Sequence, residues 1–178
     1  IEKGKYEIIL ISLKNIEGSI KNNALPIIPM LREARVIINS DLIEKYKNLK
    51  LTKKNLKWYM AQAKSALKIN KEFIELDKED NSKTNNAVAY SLILNLRSIY
   101  IIDCLIKNKI WTTKEFLGLI NRISGSLNAY EGYLRIKNNK NIEIGLPIKE
   151  AKKLYNYLAK KIEEHEKWLK LKKVYRKP

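Results

Sequence analysis

The apolar run AVAYSLILNLRSIYIIDCLI at residues 87–106 carries the side chains with the most chemistry, Tyr90, Arg97 and Asp103. Arginine is a permanent cation whose planar fork of donors suits phosphates and carboxylates. Tyrosine offers an apolar ring with a polar tip. On a helix, Tyr90, Leu94, Arg97 and Ile101 fall near one another, at spacings of three, four or seven. Asp103 lies six positions from Arg97, about 120° away around the axis, so the two are not a simple i,i+4 pair. Each needs a partner from another helix, or a cavity to face. Two arrangements stay open for Arg97. It bridges to a carboxylate such as Glu72 or Glu131, or it faces a pocket and binds an anion. Buried charges are retained when paired, and such pairing need not be functional.

Other residues offer weaker constellations. Tyr130, Tyr133, Tyr155 and Tyr157, with Lys152, Lys153, Lys160 and Lys161, can stack bases and hold phosphates. The same rings also fill bundle cores with the hydroxyl at the edge. His165 is the single histidine and, in EEHEKW, reads as a solvated helix residue. Without clustered partners it makes a poor metal site. Cys104, the single cysteine, sits in the apolar run and reads as a buried, inert thiol. It excludes an intrachain disulfide and a cysteine metal cluster. No Walker loop, dinucleotide fingerprint or Gly-Xaa-Ser-Xaa-Gly elbow occurs.

The elements that must position these residues are mostly helical. KYEIILISL (5–13) and RVIIN (35–39) read as short strands, with a polar, loop-like stretch at 14–25 and a short helix near 28–34 opened by prolines. From Ser40 the period is helical: a linking helix, then a long helix capped by Thr52 whose face is Leu56, Met60, Ala63, Leu67, Phe73 and Ile74. Residues 77–86 form a polar break. After the central run, Thr112 and Glu115 compose a capping box, and residues 126–136 continue as a further helix. The last helix starts after Pro147 and buries Ile148, Ala151, Leu154, Leu158, Ile162 and Leu169. The expectation is a mainly α chain: an antiparallel up-and-down bundle of four to five helices preceded by a small β-bearing remnant.

Membrane insertion is disfavoured. A span would place Arg97 and Asp103 near its middle and end, at roughly 2.5–3.5 kcal/mol for each central charge. The flanking amphipathic helices supply cover for a buried central helix instead. The first residues show no small-residue cleavage site, so a cytoplasmic location is expected. An opening Ile1 suggests a piece of a longer product. The formal charge of +17 favours polyanions or an acidic partner.

The pattern LKWYMAQAKSALKIN, then AVAYSLILNLRSIYIIDCLI, then a Tyr-rich long helix, resembles the helical domain shared by kanamycin-nucleotidyltransferase C-terminal domains and the HEPN group. It spans about residues 45–172. The resemblance implies a remnant of a polymerase-β-like nucleotidyltransferase domain over 1–40 and a helical bundle over 41–178. It places Glu7 at or near a metal-binding carboxylate position, with Mg²⁺ serving the complete enzyme and no cofactor for this chain alone. It implies that Arg97 and Tyr90 face a nucleotide or acceptor, and that Asp103 acts as a base or an ion-pair partner. Departures are clear. Gly18-Ser19 is not followed by Asp-x-Asp, and no Arg precedes His165 at the spacing of the HEPN ribonuclease dyad. The chain is therefore expected to recognise substrate beside a catalytic domain and to be inactive alone. The alternative is a non-catalytic basic bundle binding nucleic acid, a protein partner or a second copy through Trp58, Trp111 or Trp168.

Overall fold

The computed structural model describes residues 10–37, 40–47, 49, 51–80, 82–140 and 142–171. These fall into two compact units that divide between Trp58 and Tyr59. The expected class, a mainly helical bundle with a small β element, is what the structure shows.

In the first unit, α1 spans Leu13–Asn22, α2 Ile27–Glu33 and α3 Ser40–Lys47. The stretch 14–25, expected as a loop, is mostly α1. Its start is fixed by Ser12, whose hydroxyl accepts from the Asn15 N–H at 3.2 Å. Leu13, Ile16 and Ile20 repeat at helical spacing within polar surroundings, a pattern thinner than a typical core helix. No strand is formed at residues 10–13 or 35–37; residues 5–9 and 38–39 lie outside the described residues. Ala24, Leu25, Ile28, Leu31, Tyr46, Leu51 and Leu56 are buried. The Tyr46 hydroxyl donates to Glu17 at 3.0 Å.

Helix α4 (Lys53–Asp80) opens in the first unit and runs on into the second. Its start follows expectation: Thr52 Oγ1 accepts from the Asn55 N–H, and Asn55 Oδ1 accepts from the Thr52 N–H. Met60, Ala63, Leu67 and Ile74 are buried as expected, but Phe73 is exposed. Strand β1 (Lys83–Thr84) pairs antiparallel with β2 (Leu146–Pro147). Four further helices complete the second unit: α5 (Asn86–Ile106), α6 (Thr113–Ser124), α7 (Asn128–Lys137) and α8 (Ile148–Leu171).

The long apolar run is α5. It has the length and composition to cross a membrane, and here it packs against α7 and α8. Leu92, Leu96, Ile99 and Ile102 are fully buried on one stripe. Each such side chain contributes about 1.5–3 kcal/mol by leaving water. All six residues expected on the buried face of α8 are buried. Gly125 ends α6 in the left-handed conformation at φ 90°, which glycine adopts without a side-chain clash. The α5–α7 contact is close enough that a Cβ on Gly132 would lie 2.8 Å from Cβ of Ala89.

Candidate functional site

Two constellations emerge in the second unit, each with members on α5. One is a chain of aromatic rings. Tyr90 stacks on Tyr133 with centroids 5.4 Å apart, and Tyr133 on Tyr130 at 5.7 Å. Tyr130 meets Phe116 edge-on at 6.5 Å, and Phe116 stacks on Tyr100 at 5.6 Å. The chain thus leaves α5 at Tyr90, crosses α7 and α6, and returns to α5 at Tyr100. Tyr133 and Phe116 are buried, whereas Tyr90, Tyr130 and Tyr100 are half-buried. The Lys137 ammonium lies 5.9 Å from the Tyr133 ring centre, within cation–π range.

Arg97 is exposed. Of the two arrangements expected for it, the bridge to Glu131 is not made. Glu131 pairs instead with Arg135 at 3.9 Å, and the groove of about 490 Å³ between α4 and α5 is lined by Leu94, Asn95 and Ser98 rather than Arg97. The reason is angular. The buried stripe of α5 runs through Leu92, Leu96, Ile99 and Ile102, and Arg97 falls outside it. Its seven-residue spacing from Tyr90 and three-residue spacing to Tyr100 put it on the side of α5 that carries the two outer rings.

Tyr100 also alters the expected capping box. Thr112 Oγ1 accepts from the Glu115 N–H at 3.2 Å. The reciprocal arm is intercepted: the Thr112 N–H donates to the Tyr100 hydroxyl at 3.1 Å, and that hydroxyl lies 2.9 Å from Glu115 Oε2 as its donor. Burial, reinforced by Glu115 against the opposing Thr112 backbone contact, pushes the Tyr100 pKa up to about 12.

The other constellation centres on Asp103. Its Oδ1 lies 2.8 Å from His165 Nε2 on α8, and its Oδ2 lies 3.2 Å from the Lys161 ammonium. A carboxylate only accepts, so Nε2 carries the proton in this bond. Lys161 also reaches Glu164 at 2.9 Å. Burial opposes the charge of Asp103, but His165 and Lys161 outweigh it and hold the carboxyl below its ordinary value. Burial likewise opposes the charge of Lys161, yet Glu164 and Asp103 hold its pKa up. Burial and then Asp103 push the Tyr59 hydroxyl far up. His165 Nδ1 and the Tyr59 hydroxyl are buried without a hydrogen-bond partner among the described residues.

His165 is therefore not solvated but 3% exposed. It lies three residues after Ile162 and four before Leu169, on the buried face of α8. That periodicity was the available signal. Asp103 finds the partner on another helix that its position demanded, with one oxygen at His165 and the other at Lys161. Lys152 pairs with Glu75 at 3.7 Å, and the Lys153 ammonium donates to the Ser124 carbonyl at 3.4 Å. The structure does not bring either lysine to Arg97. Glu7 lies outside the described residues.

No family model, curated protein or solved structure matches the chain. The Mg²⁺ of the nucleotidyltransferase resemblance does not fit the described residues. They contain no group of three or more His, Cys, Asp and Glu able to hold a metal. The half-buried carboxylate at Asp103 already faces an ammonium where a cation would bind. Cys104 is buried, and burial pushes its thiol up. Ellman's reagent should react with it only after denaturant is added; rapid reaction in the folded chain would mean a thiolate the fold does not support.

Proposed function

We propose that the chain is a basic helical recognition module for nucleotides or nucleic acid, working beside the catalytic domain of a nucleotidyltransferase-like protein. The observation that carries this reading is Arg97. It is an exposed cation on α5, on the side bearing Tyr90 and Tyr100, in a chain of net charge +17. Bases and phosphates together match rings and a guanidinium. In this reading the module's part is to bind and orient.

Fluorescence anisotropy with a labelled nucleotide and a labelled oligonucleotide tests it. Binding should weaken steeply between 50 and 200 mM salt, as ions return to the released phosphates. Arg97→Ala should weaken binding about fivefold and reduce the salt slope by about one. Because Arg97 is exposed, its loss should leave the melting temperature unchanged. Absence of binding at 50 mM salt would end the reading.

A further inference from the structure

Resting on that reading, we infer that the ligand is single-stranded nucleic acid, with an unpaired base stacked on the outer end of the tyrosine column at Tyr90 and a phosphate held at Arg97. The column Tyr130–Tyr133–Tyr90 is nearly parallel, with interplanar angles of 26° and 15°. Tyr133 is buried between two rings. Tyr90 is half-buried, and Tyr133 is its one ring neighbour among the described residues. A base laid on the other face of Tyr90 continues a stack that the fold has already built. No ring has to be ordered for it, which lowers the entropic cost of binding. Paired bases in a duplex have both faces covered by their neighbours, so a duplex cannot use this platform.

The spacing argues for a strand rather than a free nucleotide. Along α5 the order is ring, cation, ring: Tyr90, Arg97, Tyr100. Ten residues of helix place the two rings about 15 Å apart along the axis. That exceeds one nucleotide, so a ligand touching both rings has at least two bases with a phosphate between them. The two ends are unequal. Beside the column, the Lys137 ammonium lies 5.9 Å from the centre of Tyr133, the ring on which Tyr90 stacks. At the Tyr100 end the Glu115 carboxylate accepts from the ring hydroxyl and repels phosphate. Contact is therefore strongest from Tyr90 to Arg97, and Glu115 weakens it beyond.

The test is anisotropy of the whole chain with a labelled 12-nucleotide oligo(dT) and a duplex of equal length, both at 50 mM salt. The oligo(dT) should bind about tenfold tighter than the duplex. Tyr90→Leu should cost it about tenfold while leaving duplex binding unchanged, and Tyr90→Phe should retain it. Glu115→Gln, which keeps a hydrogen-bond acceptor for Tyr100, should tighten it about twofold to threefold. A melting curve for each variant separates lost binding from lost folding, and the strand-against-duplex comparison on the parent chain decides where Tyr90→Leu does not fold. Equal affinity for strand and duplex, or indifference to Tyr90→Leu in a folded variant, overturns this inference and leaves the broader binding reading standing. Failure of both probes to bind overturns both.

Discussion

Gly132→Ala should melt about 4 °C below the parent chain, the net of the two opposing effects, and adding Ala89→Gly should restore most of that loss. Intrinsic preference points the other way, since alanine is favoured over glycine inside a helix by about 1 kcal/mol. The contact decides it. A methyl at position 132 would sit 2.8 Å from Cβ of Ala89 and 3.3 Å from Oδ1 of Asn86. Neither neighbour can step aside. Ala89 is fully buried on α5, and Asn86 is held by its backbone N–H to Glu143 at 2.7 Å and its side-chain amide to the Ile142 carbonyl at 2.8 Å. The helices must part, which costs about 2 kcal/mol when a core is overpacked. For a unit of this size that is a drop of several degrees. A double-mutant cycle should return a coupling of at least about 1 kcal/mol between positions 89 and 132. Equal melting of Gly132→Ala and the parent would show that α5 and α7 can separate freely.

That contact was hidden in the sequence, because a glycine inside SLNAYEGYLRI gives no sign of which residue faces it. What was legible followed from strong local rules. The six-residue stripe of α8 repeats over more than five turns, so one slip would have put several leucines in water. The caps at Thr52 and Thr112 were readable from hydroxyl residues standing before apolar periodicity. Thinner signals were missed. Helix α1 has no buried residue, so hydrophobic periodicity had little to report, and the cap at Ser12 carried the information. For His165, the acidic neighbours and the angle on the helix point in opposite directions. Glu163, Glu164 and Glu166 suggest solvent, yet residue 165 is in phase with Leu158, Ile162 and Leu169. For Arg97 the opposite happened: apolar neighbours suggested burial, and the angle points outward. In both cases helical phase outranks composition, because a side chain's surroundings are set by direction as well as by sequence neighbours. The aromatic chain needed the fold, since it joins rings from three helices.

Asp103→Ala should be among the most destabilising single changes in the second unit, at about 3 kcal/mol. It strands the His165 Nε2–H inside the protein without an acceptor and takes from Lys161 one of its two carboxylates. Breaking one side of a buried pair costs more than the pair contributes, because the survivor remains desolvated. The change of both partners to apolar residues, Asp103→Leu with His165→Leu, should therefore be milder than Asp103→Ala alone. Denaturant unfolding of the three chains decides this, and a double variant worse than either single would mean the dyad is a net source of stability. The pH dependence carries a definite sign. The folded carboxyl lies below its ordinary value of 3.8, so the folded state holds the proton less tightly than the unfolded chain. The stabilisation is fully present above about pH 4 and is lost as the pH falls through the lower, folded value. Glu164, also held down by Lys161, adds a smaller contribution of the same sign. Comparison with Asp103→Asn isolates the group: the stability gap to the parent should hold above pH 4 and shrink below it. A gap that instead widens in acid would place the raised pKa in the folded state and reverse the assignment of Asp103 as a charged partner of α8.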